Sequence, residues 1–230
     1  MDWELDKHNR HLEIARGDNS ELYRLIREGE HQQLDFKFRI DSSIKIARTL
    51  SSFANCDGGR LLIGVKDNGK ITGINPEEEY FMIEGAAELY CAPKVNFSYQ
   101  VYDIEEKYVL VVYINSSAER PHFVKEISNK RLAYIRQHDE NFVANRVLLR
   151  YLRDRSPSNE RKNLVAYGPA ARSLFDYLSS NKDVSVSKFS RLAKIPLSKA
   201  EQILALFLKW EVIRFEAGEN GIRFFLFESE

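Results

Sequence analysis

The chain has 230 residues, 43% of them hydrophobic, which suits one medium domain and one small one with a sizeable buried core. Lys and Arg number 34 and Asp and Glu number 34, so bulk charge favours neither nucleic acid, membrane surface nor acidic substrate, and any charged surface must be local. Two cysteines, Cys56 and Cys91, lie in no CxxC pair and no Cys/His ligand spacing, which argues against a structural zinc site and for two reduced thiols.

The opening MDWELDKHNR is polar and acidic, where a secretory signal would be basic and then apolar. No run approaches the ~18 apolar residues of a membrane span, so a soluble, cytoplasmic protein without membrane contact is expected. Residues 1–19 show no clean period and read as an N-terminal arm. Asn19-Ser20-Glu21 opens a helix with Leu22, Leu25 and Ile26 on one face, and Gly29 ends it. Gln33–Phe38 alternates as a half-buried strand, with Leu34, Phe36 and Phe38 on one side and Gln33, Asp35 and Lys37 on the other. Asp41-Ser42-Ser43 caps a second helix through Ile44, Ala47, Leu50 and Ala54. Asn55–Gly59 is a turn, Leu61–Val65 a short apolar strand, and Asp67-Asn68-Gly69-Lys70 a hairpin turn into Ile71–Ile74.

Pro76–Tyr90 reads as a helix stopped by Pro93. Strands follow at Lys94–Tyr102, Tyr108–Ile114 and Arg131–Arg136, with a weaker one near Val124. The continuous apolar run YVLVVYI marks the second of these as central in a sheet. A helix over Phe142–Asp154 completes a domain spanning 20–155. The small, polar stretch from Ser156 to Glu160, with Pro157 inside it, makes 156–163 a linker. In 164–230 the pattern is three helices and two strands. Ala170–Ser179 carries Leu174, Tyr177 and Leu178; a helix from Ser185 or Ser187 carries Phe189, Leu192 and Ala193 and breaks at Pro196. A third, capped by Ser198, carries Ile203, Leu204, Phe207 and Leu208. Glu211–Phe215 and Ile222–Phe227 then flank the Gly218–Gly221 turn. Helices followed by a β-hairpin make the order of a winged helix. The expected fold class is α+β: a mixed sheet with flanking helices, plus a small winged-helix domain.

Several blocks carry a family resemblance: Gly29-Glu30, Asp35-Phe36-Lys37, Phe53-Ala54-Asn55 with Gly58-Gly59, and Gly64-Val65-Lys66-Asp67-Asn68-Gly69 with Ile71 and Gly73. Arg120-Pro121-His122 and Ala133-Tyr134-Ile135-Arg136 follow. In order and spacing they resemble the Schlafen AlbA-like domain over most of residues 20–150. That resemblance implies a nucleic-acid-binding α+β domain. Many bacterial members carry a C-terminal winged helix and look like transcriptional regulators, some are labelled ATP-binding, and some vertebrate relatives are metal-dependent endoribonucleases of structured RNA. The reading it supports is a DNA-binding transcriptional regulator, a non-enzyme with DNA or RNA as partner and a homodimer that would meet two half-sites. A Schlafen-type metal-dependent endoribonuclease and a protein-interaction or oligomerisation module are the alternatives.

For the nuclease, Glu30, Asp35 and Asp67 would converge at one sheet end and hold Mg²⁺ or Mn²⁺, with Lys37 against the scissile phosphate. Asp35 stands where the family usually has Glu, which shortens the reach. The preferred alternative is an ion pair from Asp35 to Lys37 or Lys66, with Asp67 a turn residue. Binding needs no cofactor. For ATP there is no GxxxxGK[ST] cradle, and Gly58-Gly59 lead into a strand, which fits a tight turn or a close backbone approach better. Candidate nucleic-acid contacts are Lys125, Lys130, Arg131 and Arg136 on adjacent strands, and Arg146, Arg150 and Arg153 as a helical stripe. Lys188 and Arg191, with Lys199 and Gln202 at the start of the third C-terminal helix, complete the set. The arginine stripe reads equally well as a solvated face paired with Glu140 and Asp154.

Overall fold

The computed structural model describes residues 12, 14–15, 19–153 and 168–227. The expected linker at 156–163 and most of the arm at 1–19 lie outside the described residues. The chain divides into two compact units, Met1–Asn141 and Phe142–Glu230.

In the first unit a mixed sheet has the order β1 (Ile14–Ala15), β5 (Phe97–Ile104), β6 (Lys107–Ile114), β3 (Gly59–Ile63), β2 (Leu34–Lys37). The β1–β5 and β2–β3 pairs are parallel; β5–β6 and β3–β6 are antiparallel. The run YVLVVYI falls in β6 at the centre, where a strand covered on both faces has no polar side to alternate with. Alternate side chains feed two cores. Leu62, Val109, Val111 and Tyr102 pack with Leu22 and Leu25 of helix α1 (Ser20–Glu28). Leu61, Ile63, Leu110 and Val112 pack with Ile46, Leu50 and Phe53 of helix α2 (Ser43–Asn55).

A second sheet, ordered β4 (Cys91–Ala92), β7 (Phe123–Lys125), β8 (Arg131–Gln137), β9 (Glu140–Val143), closes over α2, which packs against β6, β7 and β8. Nine of the thirteen residues of α2 are buried, Thr49, Ser51, Ser52 and Asn55 among them. Helix α3 (Pro76–Gly85) has Asn75 as N-cap, proline in its first turn and Glu77, Glu78 and Glu79 against the helix dipole, and it runs into a π-helical turn, Ala86–Tyr90.

The second unit holds α4 (Arg146–Arg153), α5 (Pro169–Leu178), α6 (Val186–Leu192), α7 (Leu197–Lys209) and an antiparallel hairpin of β10 (Ile213–Gly218) and β11 (Gly221–Leu226). Ile203, Leu204, Phe207 and Leu208 of α7 are buried, and α7 packs on α4, α6 and β10. The chain divides before α4 rather than after it, because α4 buries Val147, Leu148 and Leu152 and packs against α7.

Local differences from the sequence reading have plain causes. Strand β2 is covered on both faces, so Asp35 is only 4% exposed, while Phe38 lies past the strand end, 47% exposed beneath Arg39 and Lys66. The turn at Asp67–Gly69 forms, with Lys66 N–H donating to Lys70 O, but Ile71–Ile74 adds single bridges (Val65 to Ile71, Ile74 to Tyr108) instead of a strand. Asn19 donates its side-chain amide to Asp103 O instead of capping α1. Helix α7 begins after Pro196, so Ser198 is inside it. Helix α2 runs through Asn55, one residue into the expected turn.

The glycine pair after α2 does allow close approach. Gly58 has φ 76°, and a Cβ there would stand 2.6 Å from Ile114 O. Gly58→Ala is expected to destabilise the first unit by about 1–3 kcal/mol, from left-handed strain plus that clash. Urea unfolding followed by tryptophan-free probes such as far-UV circular dichroism measures it; an unchanged midpoint would contradict the close approach.

Candidate nucleic-acid interface

On β2 the Asp35 carboxylate faces inward and meets β8. Arg136 is 2% exposed and its guanidinium donates to Asp35 Oδ1 (3.2 Å), Leu34 O (3.3 Å), His31 O (3.3 Å) and Asn141 Oδ1 (3.4 Å), while its plane lies 4.9 Å from the Phe53 ring centroid. The Lys37 ammonium sits 2.8 Å from Asp35 Oδ2 but donates to Phe36 O, so on that side Asp35 has an ion pair without a hydrogen bond. Glu30 accepts from Phe36 N–H at 2.8 Å. Burial, with the neighbouring Asp35 carboxylate, holds the Glu30 carboxyl above its ordinary range despite that bond.

Just outside this network is a cleft of about 420 Å³ at the start of α2. Lys37, Arg39, Lys45 and Arg48 line it against one carboxylate, Asp41, with Thr49, Tyr134 and Asn141 at its base. Arg39 pairs with Asp41 at 2.9 Å. Lys45 is exposed in the first turn of α2, a turn without any acidic residue, and has no ion pair among the described residues. A cation there opposes the helix dipole, while an anion would be favoured by both.

Arg48 joins the cleft to the turn between β7 and β8. It donates to both oxygens of Glu126 (3.0 and 2.5 Å), and Tyr134 Oη–H donates to Glu126 Oε1 at 2.6 Å. The Arg48 bond holds the Glu126 carboxyl below its usual range, whereas burial and the Glu126 contact push the Tyr134 phenol up to about 12. Lys125, Lys130 and Arg131 stand exposed on this turn and have no ion pair among the described residues.

The metal site of the alternative nuclease reading is not assembled. Among the described residues no group of three or more His, Cys, Asp or Glu is placed to hold a metal ion. Asp35 is committed to Arg136 and Lys37, Glu30 to the backbone of β2, and Asp67 is exposed in its turn, six residues beyond Leu61, the partner of Asp35. The donors thus do not fit Mg²⁺ or Mn²⁺, and Lys37 serves Asp35. Arg136 is likewise removed from the contact surface, because its positive charge is consumed inside the fold. Arg146 and Arg153 are exposed, but Arg150 between them turns to the buried Glu201, 3.8 Å away and without a hydrogen bond, so the stripe is interrupted. On α6 and α7, Arg191, Lys199 and Gln202 are exposed and Lys188 lies 5.3 Å from the Tyr177 ring. Sequence reading missed Arg39, Lys45 and Arg48. The signal was there: a capped helix whose first turns carry Lys and Arg where acids are the rule.

The spaced sequence blocks meet at the C-terminal end of α2. The Asn55 side chain accepts from His122 N–H (2.7 Å) and donates to His122 O (3.0 Å) and Tyr134 O (2.8 Å). Arg120 Nη1 donates to Asn55 O and Cys56 O, two of the carbonyls a helix end leaves unpaired.

Residues 30–145 match the Schlafen, AlbA_2 family. No curated protein matches the chain. Among solved structures, the DIP2311 protein of Corynebacterium diphtheriae is similar at 19% identity and TM-score 0.40, over 54% of this chain and 24% of that one. The N-terminal domain of a RecG-related protein from Nitrosomonas europaea is similar at 22% identity and TM-score 0.38, over 50% of this chain and 86% of that one. The chain thus spans about a quarter of the DIP2311 chain.

Two outcomes test the network. Arg136→Met leaves the Asp35 carboxylate buried against Lys37 alone and is expected to cost about 3–5 kcal/mol of stability; a loss under 1 kcal/mol, read from urea midpoints, would sink the role given to this pair. Glu126, with its carboxyl held below the usual range, contributes stability above that range that is lost as pH falls through the folded-state value. Glu126→Gln should therefore flatten the acid limb of stability against pH, measured by thermal unfolding at a series of acid pH values.

Proposed function

The chain belongs to the Schlafen AlbA_2 family, and on that footing we propose that it binds nucleic acid through the cleft at the start of α2 and the basic turn between β7 and β8. One observation carries the reading: Lys45 stands without an ion pair at the positive end of α2, in a cleft lined by three more cations. The other three are each paired with a carboxylate, Lys37 with Asp35, Arg39 with Asp41 and Arg48 with Glu126, so the unmatched charge is that of Lys45 at the helix start, and a phosphodiester would supply its anion. Lys125, Lys130 and Arg131 extend the same charge along the strand pair, so one backbone can be held at several phosphates.

We further propose that the protein is a DNA-binding transcriptional regulator. The second unit supports this by its element order, α5, α6, α7 and the β10–β11 hairpin, which suits a winged helix. The exposed Lys199 and Gln202 in the first turns of α7 would then be its base-reading or phosphate-contacting residues. The turn at Glu219-Asn220 is acidic, and Arg214 and Arg223 are occupied by Glu216 and Asp183, so the hairpin adds little positive charge. A homodimer would present two such units to two half-sites. Binding through lysines and arginines requires no metal and no nucleotide.

The test is fluorescence anisotropy with labelled duplex DNA and with RNA over a salt series, in the presence of Mg²⁺ and of EDTA. Affinity is expected to fall linearly on a log–log plot with salt and to be the same in both buffers. Lys45→Glu, Lys130→Glu and Arg131→Glu should each weaken binding and flatten the slope by about one. A slope unchanged in all three variants would remove this surface from the interface, and metal-dependent cleavage of either nucleic acid would overturn the non-enzymatic reading.

A further inference from the structure

The basic turn between β7 and β8 ends in an apolar side chain. Ile127 is 85% exposed, more than any other large hydrophobic residue among those described. One exposed aliphatic side chain is ordinary on a protein surface, but three features set this one apart. The turn around it is closed: Glu126 N–H donates to Lys130 O at 2.9 Å and Asn129 N–H to Glu126 O at 2.8 Å, with Asn129 in the left-handed region at φ 59°. The residue before it is anchored, since the Glu126 carboxylate is buried and held by Arg48 and Tyr134. The residues around it are cationic, with Lys125, Lys130 and Arg131 exposed and without ion pairs among the described residues. A protein-docking patch would need more apolar area and fewer lysines at its centre. Ser128 and Asn129 complete a tip with a single apolar side chain.

We propose that Ile127 is a wedge that enters the minor groove of a nucleic-acid duplex and partly unstacks one base step, while Lys125, Lys130 and Arg131 hold the flanking phosphates. The inference rests on the nucleic-acid-binding reading above and adds the form bound, a duplex, and the residue that deforms it. A rigid aliphatic side chain on a fixed turn suits the task. Unstacking is costly, and it is offset only if the apolar side chain is buried between bases and the opened groove lets the nearby cations reach the flanking phosphates. A branched aliphatic residue also loses little side-chain freedom on insertion.

The experiment uses the full chain and a set of short duplexes carrying 2-aminopurine at successive steps, with fluorescence and anisotropy read on the same samples at low salt. Wild type is expected to raise 2-aminopurine fluorescence at one or two steps as it binds. Ile127→Ser should bind about tenfold more weakly and leave the fluorescence of the saturated duplex at that of free DNA. Ile127→Phe should keep the rise. Because the side chain is exposed, both variants are expected to fold as wild type. Binding without any fluorescence rise, or an Ile127→Ser variant with wild-type affinity and wild-type rise, overturns the wedge and leaves the binding reading standing. A wild type that fails to bind any duplex at low salt overturns both. A variant whose sedimentation changes while its DNA binding does not makes Ile127 a contact between copies of the chain, which also overturns the wedge.

Discussion

The buried pair of Asp35 and Arg136 is the contact on which the first unit depends. Two charges inside a fold cost several kcal/mol each to desolvate, and the cost is offset only where the remaining donors are also satisfied. Arg136 meets that condition: it reaches the β2 carboxylate, the carbonyls of His31 and Leu34, the Asn141 amide and the face of Phe53. One side chain thus joins the edge strand of the first sheet, the middle of the second and the helix between them.

Helix α2 is the element that this arrangement encloses. A helix covered on nearly all sides should be apolar throughout, yet α2 buries four polar side chains. Each has a partner. Thr49 Oγ1 accepts from the Asn141 amide, Ser51 donates to His122 O, Ser52 donates to Asn141 Oδ1, and Asn55 bonds to the loop at His122 and to strand β8 at Tyr134 O. These bonds are directional where apolar packing is not, so they set the second sheet at one position along the helix. Gly58 and Gly59 follow immediately, where the backbone comes against Ile114 and the Phe53 ring and leaves no space for a Cβ.

A net charge of zero conceals an uneven distribution. Three consecutive glutamates open α3, while the start of α2 and the β7–β8 turn carry lysines and arginines. The cations divide by whether a carboxylate of the fold holds them. Arg136 is taken up by Asp35, Arg48 by Glu126 and Arg150 turns to Glu201, while Lys45, Lys125, Lys130 and Arg131 stay in solvent. Arg48 belongs to both groups, since it lines the cleft beside Lys45 while it is held by Glu126.

The sequence by itself determined the elements and the family. The apolar run of β6 specified a central strand, the spacing of Leu22, Leu25 and Ile26 a one-sided helix, and Gly58-Gly59 a close approach, because burial period and backbone freedom are local properties. The blocks of resemblance gave the fold class of residues 30–145 in the same way. The roles of charged residues were decided only by tertiary structure. The sequence left Glu30, Asp35 and Asp67 open between a metal triad and the preferred pairing of Asp35 with Lys37 or Lys66, and it placed Arg136 among the phosphate contacts, since it shows which residues bear charge and not which charges face each other. The pairing of Asp35 with Arg136 spans a hundred residues, and only the closing of the second sheet over α2 brings them together. The same closure leaves Lys45 unpaired and Ile127 in solvent, so the candidate interface is what remains after the fold has matched its own charges.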